Sequence, residues 1–167
     1  MALGPLLLTA SMACVLPAPE IESQTRLPYA TFDLRSGPQG WRSLSGRGCT
    51  DEAVALLSAY AGAHAATLPA PQRRELAFHT GQVLALAGRN AEAIPHFELA
   101  QGADASPEWR AYVAATLAFL RRDSIGLRAA RDDYARLAAP GSTRLRIVEG
   151  LLACPTRPYA AAAHCRP

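Results

Sequence analysis

LAFHTGQVLALAGRNAEAIPHFELA, residues 76–100, fixes the reading of the fold. Leu76, Ala77, Thr80, Val83, Leu84 and Leu86 recur at helical spacing, and Gly88 ends the run. Asn90 then reads as the cap of a second helix, with Ala93, Ile94, Phe97 and Ala100 on one face. Gly81 sits inside the first helix where a bulkier residue would carry more apolar area. A small residue there lets the second helix approach, and the ring of Phe97 can fill the space below. The segment therefore predicts two helices joined by a tight turn and packed face to face.

Working outward, the same grammar repeats. Thr50, with Asp51 and Glu52 in the first turn, reads as the cap of a helix carrying Ala53, Val54, Leu56, Leu57, Tyr60 and Ala61 to about Ala66. Pro71 opens the helix that enters the quoted stretch. Pro107 opens one with Trp109, Tyr112, Val113, Leu117 and Phe119. Asp123 or Ser124 caps the next, with Leu127, Ala130, Tyr134 and Leu137, and after Pro140-Gly141-Ser142 a short helix runs through Leu145, Val148 and Leu152. Six helices in antiparallel sequence thus occupy residues 49–153, and the predicted class is all-α. The 35 alanines and 12 glycines, against four Phe and two Trp, agree with close helix packing in a core of small side chains.

The hairpins invite comparison. Gly81, Gly88, Ala93, Phe97 and Ala100 have counterparts 37 positions on at Ala118, Ile125, Ala130, Tyr134 and Leu137. Residues 73–106 resemble a tetratricopeptide repeat, which places a small residue, a turn glycine, an alanine, an aromatic and an alanine at the positions of Gly81, Gly88, Ala93, Phe97 and Ala100. Residues 111–144 match more loosely, and Ala77 and Thr80 stand where the repeat has tryptophan and leucine. The resemblance implies a short right-handed solenoid of stacked antiparallel hairpins. It also implies a concave surface that binds a protein or an extended peptide. That surface would present Glu75, Phe78, Gln82, Ala85 and Leu86 from one hairpin and Tyr112, Ala115, Phe119, Arg122 and Asp123 from the next. Phe78 and Phe119 are either groove anchors or are covered by the chain's own arm, residues 29–41.

Outside the helices the signals concern address and covalent ties. Residues 1–18 read as an export signal, with an apolar run Leu3–Leu8 and the small residues Ser11 and Ala13 placed for cleavage before Cys14. A cysteine at that point also resembles a bacterial lipoprotein site, which would give a membrane attachment; the competing reading is an apolar tail on a cytoplasmic chain. Residues 19–48 carry recurrent Pro and Gly and read as an irregular arm, with an extended patch at Tyr29–Leu34 and three aromatic residues, Tyr29, Phe32 and Trp41, that need apolar cover. Cys14, Cys49, Cys154 and Cys165 allow three pairings; in the tail, residues 154–167, Cys154 and Cys165 flank a short loop, the simplest disulfide, and if the signal carries off Cys14, Cys49 is left over, with Cys165 as its alternative partner and Cys154 the least compatible with a stacked fold.

Charge and motif exclude several classes. All 17 permanently charged bases are arginines, but 14 acids lie among them, so the expectation is a solvated surface and no nucleic-acid partner. No zinc spacing, phosphate-binding glycine loop or hydrolase motif is present, so no metal, cofactor or catalytic residue is expected. His79 follows Glu75 by one turn, an ordinary helix contact; His64 and His96 are isolated, and His164 adjoins a cysteine expected in a disulfide. The leading expectation is an exported, non-enzymatic binding protein of the cell envelope, periplasmic or secreted. A secreted structural or effector-like domain with a self-covered groove is the alternative, and an enzyme of unrecognised type the third.

Overall fold

The computed structural model describes residues 14–34 and 37–166. Nearly all of them are helical, and among them there is no strand. The order is α1 (Ala18–Thr25), a π-helical turn (Ala30–Leu34), α2 (Trp41–Gly46), α3 (Thr50–Ala63), α4 (Ala70–Leu86), α5 (Asn90–Gln101), α6 (Pro107–Leu120), α7 (Ser124–Leu137), α8 (Thr143–Ala153) and α9 (Tyr159–Ala162). The six helices expected within residues 49–153 are α3 to α8. Pro71 and Pro107 fall in the first turns of α4 and α6, where a missing N–H costs no helix bond. Ser106, Asp123 and Ser142 cap α6, α7 and α8 by accepting from Trp109 N, Gly126 N and Leu145 N at 3.2, 2.9 and 3.3 Å. Thr50 and Asn90 are not caps; each is the first residue of its helix, after Cys49 and Arg89.

α4 packs on α5 and α6 on α7. Gly81 has the role its position suggested: a Cβ there would lie 3.0 Å from the Phe97 ring and 3.1 Å from the Ala93 carbonyl. The register between the pairs is not 37. Helix ends Leu86 and Leu120, helix starts Asn90 and Ser124, and left-handed residues Gly88 (φ 78°) and Arg122 (φ 61°) are each separated by 34 positions, from 120 − 86, 124 − 90 and 122 − 88. Phe78 therefore corresponds to Tyr112 and Gly81 to Ala115. Ile125, the counterpart of Gly88 at an offset of 37, is an exposed position in α7.

α4 is apolar on two sides because it separates two cores. Leu76 and Val83 join Phe32, Trp41, Leu44, Leu56, Leu57 and Tyr60 on one side. Phe78, Leu84 and Ala85 join Phe97, Val113, Leu127, Tyr134, Leu151 and Tyr159 on the other. The segment expected as an irregular arm is thus part of the first core. It holds α1, α2 and the π-helical turn, the last in place of the extended patch. The period was hidden because each element is only five to eight residues long and Pro or Gly flanks it. Gly40 permits the connection: its φ is 77°, and a side chain there would meet the Phe32 carbonyl.

Two disulfides tie the ends, Cys14–Cys49 (Cα–Cα 5.3 Å) and Cys154–Cys165 (6.3 Å). The local pairing is the one expected. Cys49 is not left over, because Cys14 lies within the folded segment that packs on α3. Residues 1–13, which hold most of the expected export signal, lie outside the described residues.

Candidate functional site

Residues of α4, α6 and α8 meet around one pocket, and the described N-terminal segment, residues 14–34 and 37–47, and the tail, residues 154–166, both pack against these helices. From the N-terminal side comes Asp33, fully buried on the π-helical turn. Its Oδ1 accepts from Trp41 Nε1 and from His79 Nδ1, both at 2.8 Å, and its Oδ2 accepts from Tyr29 Oη at 2.9 Å. Burial alone would raise this carboxyl, but the hydrogen bonds from His79, Trp41 and Tyr29 outweigh it and hold Asp33 below the usual range. Arg42 Nη2 lies 3.4 Å from His79 Nε2. Arginine only donates, so Nε2 is the accepting nitrogen and the His79 proton sits on Nδ1, facing Asp33. Tyr29 Oη also lies 2.7 Å from Glu75 Oε2; burial first and then these carboxylates push its phenol well up.

From the C-terminal side comes Tyr159 of α9, buried against Phe119 at a ring separation of 6.1 Å. The tail backbone presses on α8 so closely that a Cβ on Gly150 would lie 2.6 Å from the Ala162 carbonyl. Burial pushes the Tyr159 phenol up to about 12, and its hydroxyl, near Gln82 and Thr116, has no protein hydrogen-bond partner.

Beside the N-terminal segment, among α4, α6 and α8, lies a pocket of about 300 Å³ lined by Arg42, Glu75, Phe78, His79, Gln82 and Tyr112, with Trp109, Arg144 and Ile147 completing it. Its aromatic wall is continuous: Phe78 lies 5.2 Å from both Trp109 and Tyr112. Four of the residues expected on the binding surface meet here, namely Glu75, Phe78, Gln82 and Tyr112. Phe78 and Tyr112 are mostly buried and offer the pocket only an edge.

The other expected residues lie elsewhere. Leu86 is exposed at the end of α4, and Ala85 and Ala115 are buried. Phe119, Arg122 and Asp123 line a separate cavity of about 170 Å³ beside Pro155 and Thr156. The arm does not cover Phe119; the tail does. Sequence reasoning missed Arg42, His79, Trp109 and Arg144 as pocket residues. An arm without visible periodicity gave no reason to bring Asp33 to His79.

A larger groove, about 540 Å³, runs between α6 and α7, but alanine and glycine make up much of its lining. Its charges are engaged, Asp133 with Arg136 and Arg110 with the carbonyls of Ala103 and Ala105. The smaller pocket is the better candidate because its polar groups converge with donors to spare. For metals, the Sγ atoms of Cys14 and Cys49 lie within 4.8 Å of a Glu52 carboxylate oxygen, but both sulfurs are in a disulfide and are not thiolate donors. Of the remaining histidines, His64 Nε2 is 2.8 Å from the Thr25 carbonyl, and burial lowers His96. Comparison with protein-family models, curated proteins and solved structures gives no match to this chain.

Proposed function

We propose that this chain is an exported, non-enzymatic binding protein of the cell envelope. Its helix pairs act as antiparallel hairpins of a short right-handed tetratricopeptide-like stack. The concave side, formed by α4, α6 and α8, takes a projecting group of a protein or extended peptide. The observation that carries the reading is the pocket itself, an aromatic-walled opening among α4, α6 and α8 with Arg42 of the N-terminal segment at its edge and Arg144 free of any carboxylate among the described residues. The 34-residue spacing of helix ends and turns supports the repeat reading. Export is supported by the two disulfides, which persist in oxidising compartments. Cleavage between Ala13 and Cys14 would keep both. A lipid thioether on Cys14 and the Cys14–Cys49 bond exclude each other at one sulfur, so the reading adopted has no lipid anchor.

The alternative, a structural or effector-like domain with a self-covered groove, is favoured by one observation, the burial of Phe119 behind Tyr159. The Asp33–His79 pair has the form of an acid/base dyad, but among the described residues no Ser, Thr or Cys lines the pocket to serve as its nucleophile.

A photo-crosslinking residue at Gln82, compared with one at the exposed Arg128, separates these readings. The binding reading expects a crosslinked envelope protein or peptide from Gln82 alone, lost in Arg144→Glu. Crosslinks from both positions, or from neither, would favour the self-covered domain.

A further inference from the structure

The arginines of this molecule differ in what they touch, and some, such as Arg73 and Arg110, bond only to backbone carbonyls. Several are matched to acids: Arg74 with Asp104, Arg89 with Asp51 and Glu92, Arg121 with Glu98, and Arg131 with Asp132 and Glu149. The two that line the pocket are not. Arg42 donates Nε to the Asp33 carbonyl at 2.6 Å and lies near His79, with no carboxylate partner among the described residues. Arg144 has no hydrogen bond or ion pair among the described residues. Its guanidinium carbon lies 5.2 Å from the Trp109 ring centroid and 5.5 Å from that of Tyr112. Arg42 lies over Trp41 at 4.2 Å. Ring contact of this kind spends no N–H donor, so Arg144 keeps all of its donors and Arg42 those not given to Asp33 and His79.

We propose that the pocket binds a planar organic anion, a carboxylate carried on an aromatic or unsaturated body, with Arg42 and Arg144 receiving the carboxylate and the Phe78–Trp109–Tyr112 wall receiving the body. The inference rests on reading this pocket as the binding site and names the chemistry it accepts. Size limits the ligand: about 300 Å³ is at the small end for ligand sites, enough for one ring and its acid group and too little for a nucleotide. Charge limits it further. Arg42 and Arg144 face the pocket, but so does Glu75, and Asp33 lies behind the His79 ring. The net field is therefore weak, and directed donors carry recognition. Glu75 spends one lone pair on Tyr29 and still opposes a second negative charge on the ligand, so a monoanionic carboxylate is favoured over a phosphate dianion.

The same chemistry is available from a free aromatic acid or from a peptide-borne carboxylate next to an aromatic side chain. The test uses the full oxidised chain, following arginine Nε–H and tryptophan indole signals by NMR during titration with benzoate, benzyl alcohol, benzylamine and phenyl phosphate. Benzoate is expected to shift Arg42, Arg144 and Trp109 saturably, with a Kd of about 1 mM or tighter, as its size allows. Benzyl alcohol and phenyl phosphate should bind at least about tenfold more weakly and benzylamine not at all, because the charge-assisted pair supplies about one such factor. Arg144→Gln should lose a similar factor, while Arg146→Gln, two residues along α8, should keep full affinity.

Equal binding of benzyl alcohol, shifts spread evenly over exposed arginines such as Arg128, or an unchanged Arg144→Gln would overturn the proposal. A short phenylalanine peptide with a free carboxylate, against its amide, identifies the source: tighter than benzoate means peptide, weaker means small molecule. Benzoate added to the Gln82 crosslinking experiment separates the two levels. A crosslinked partner that benzoate leaves in place keeps the binding reading and sinks the anion inference. Benzoate binding with no partner keeps the anion site and sinks the protein-binding reading.

Discussion

The N-terminal segment, residues 14–34 and 37–47, and the C-terminal segment, residues 154–166, both fold onto the face of α4, and each is closed by a disulfide. Their attachments differ in kind. The first is held around a buried carboxylate with three donors, the Asp33 hub, and by Gln24, whose Oε1 accepts from Gly40 N at 2.7 Å. The second is held by close packing: Tyr159 enters without a protein hydrogen bond for its hydroxyl, and the tail backbone lies against Gly150. A polar hub is directional and titratable, because each donor is matched to one charged group. A dry contact responds chiefly to volume, and here it titrates only in the alkaline range, through the Tyr159 phenol.

That contrast can be broken by mutation, most strongly at its two centres. Tyr159→Ala removes a fully packed ring and should lower stability by about 3–5 kcal/mol, measured by urea denaturation. Asp33→Ala strands the Trp41 and His79 donors, while Tyr29 keeps Glu75, and should cost about 3 kcal/mol in the same assay. Gly150→Ala forces a Cβ against the tail backbone, with an expected loss of about 1–3 kcal/mol. Tyr159→Phe should be neutral or stabilising, because it removes a buried hydroxyl that bonds to nothing in the protein. A loss above about 1 kcal/mol there would mean that the hydroxyl is bonded after all.

pH sharpens the comparison with smaller effects. The folded Asp33 carboxyl titrates below its ordinary value of 3.8, so on acidification the unfolded chain takes up the proton first. Its stabilisation is full above that value and is lost as pH falls through the folded one. Tyr159 behaves oppositely: its phenol is raised from 10.0 to about 12, so its stabilisation is full below pH 10 and lost between there and about 12. Thermal unfolding of wild type, Asp33→Asn and Tyr159→Phe across both ranges should show the acid limb weakened only in the first variant and the alkaline limb only in the second.

Much of the helical body was legible because local chemistry decides it. Proline in a first turn, a capping Ser or Asp, and the Gly81–Phe97 crossing act within one or two helices, and residues 50–153 contain all three. The register of the second pair was misread because an alanine-rich sequence offers few landmarks and the left-handed turn residue is Arg122, not a glycine. The arm was misread for a tertiary reason. Asp33 and Trp41 stabilise short helices only once His79 of α4 is beside them, and no periodicity within residues 19–48 records that. The sequence leaves the Cys14–Cys49 pairing open, because it turns on whether Cys14 stays with the mature chain. Of the pocket, Glu75, Phe78, Gln82 and Tyr112 followed from one helix face continued onto the next, whereas Arg42 and Arg144 come from the arm and from α8.

The central claim is that the two ends are separate attachments on a common helix, with the pocket beside the N-terminal one. Amide hydrogen exchange of the oxidised chain, with Asp33→Ala and Tyr159→Ala beside wild type, tests it most directly. The account predicts faster exchange in residues 28–47 for Asp33→Ala with residues 143–163 unchanged, and the reverse for Tyr159→Ala. If each variant instead loosens both segments together, the ends form one cooperative unit and the contrast drawn here is wrong.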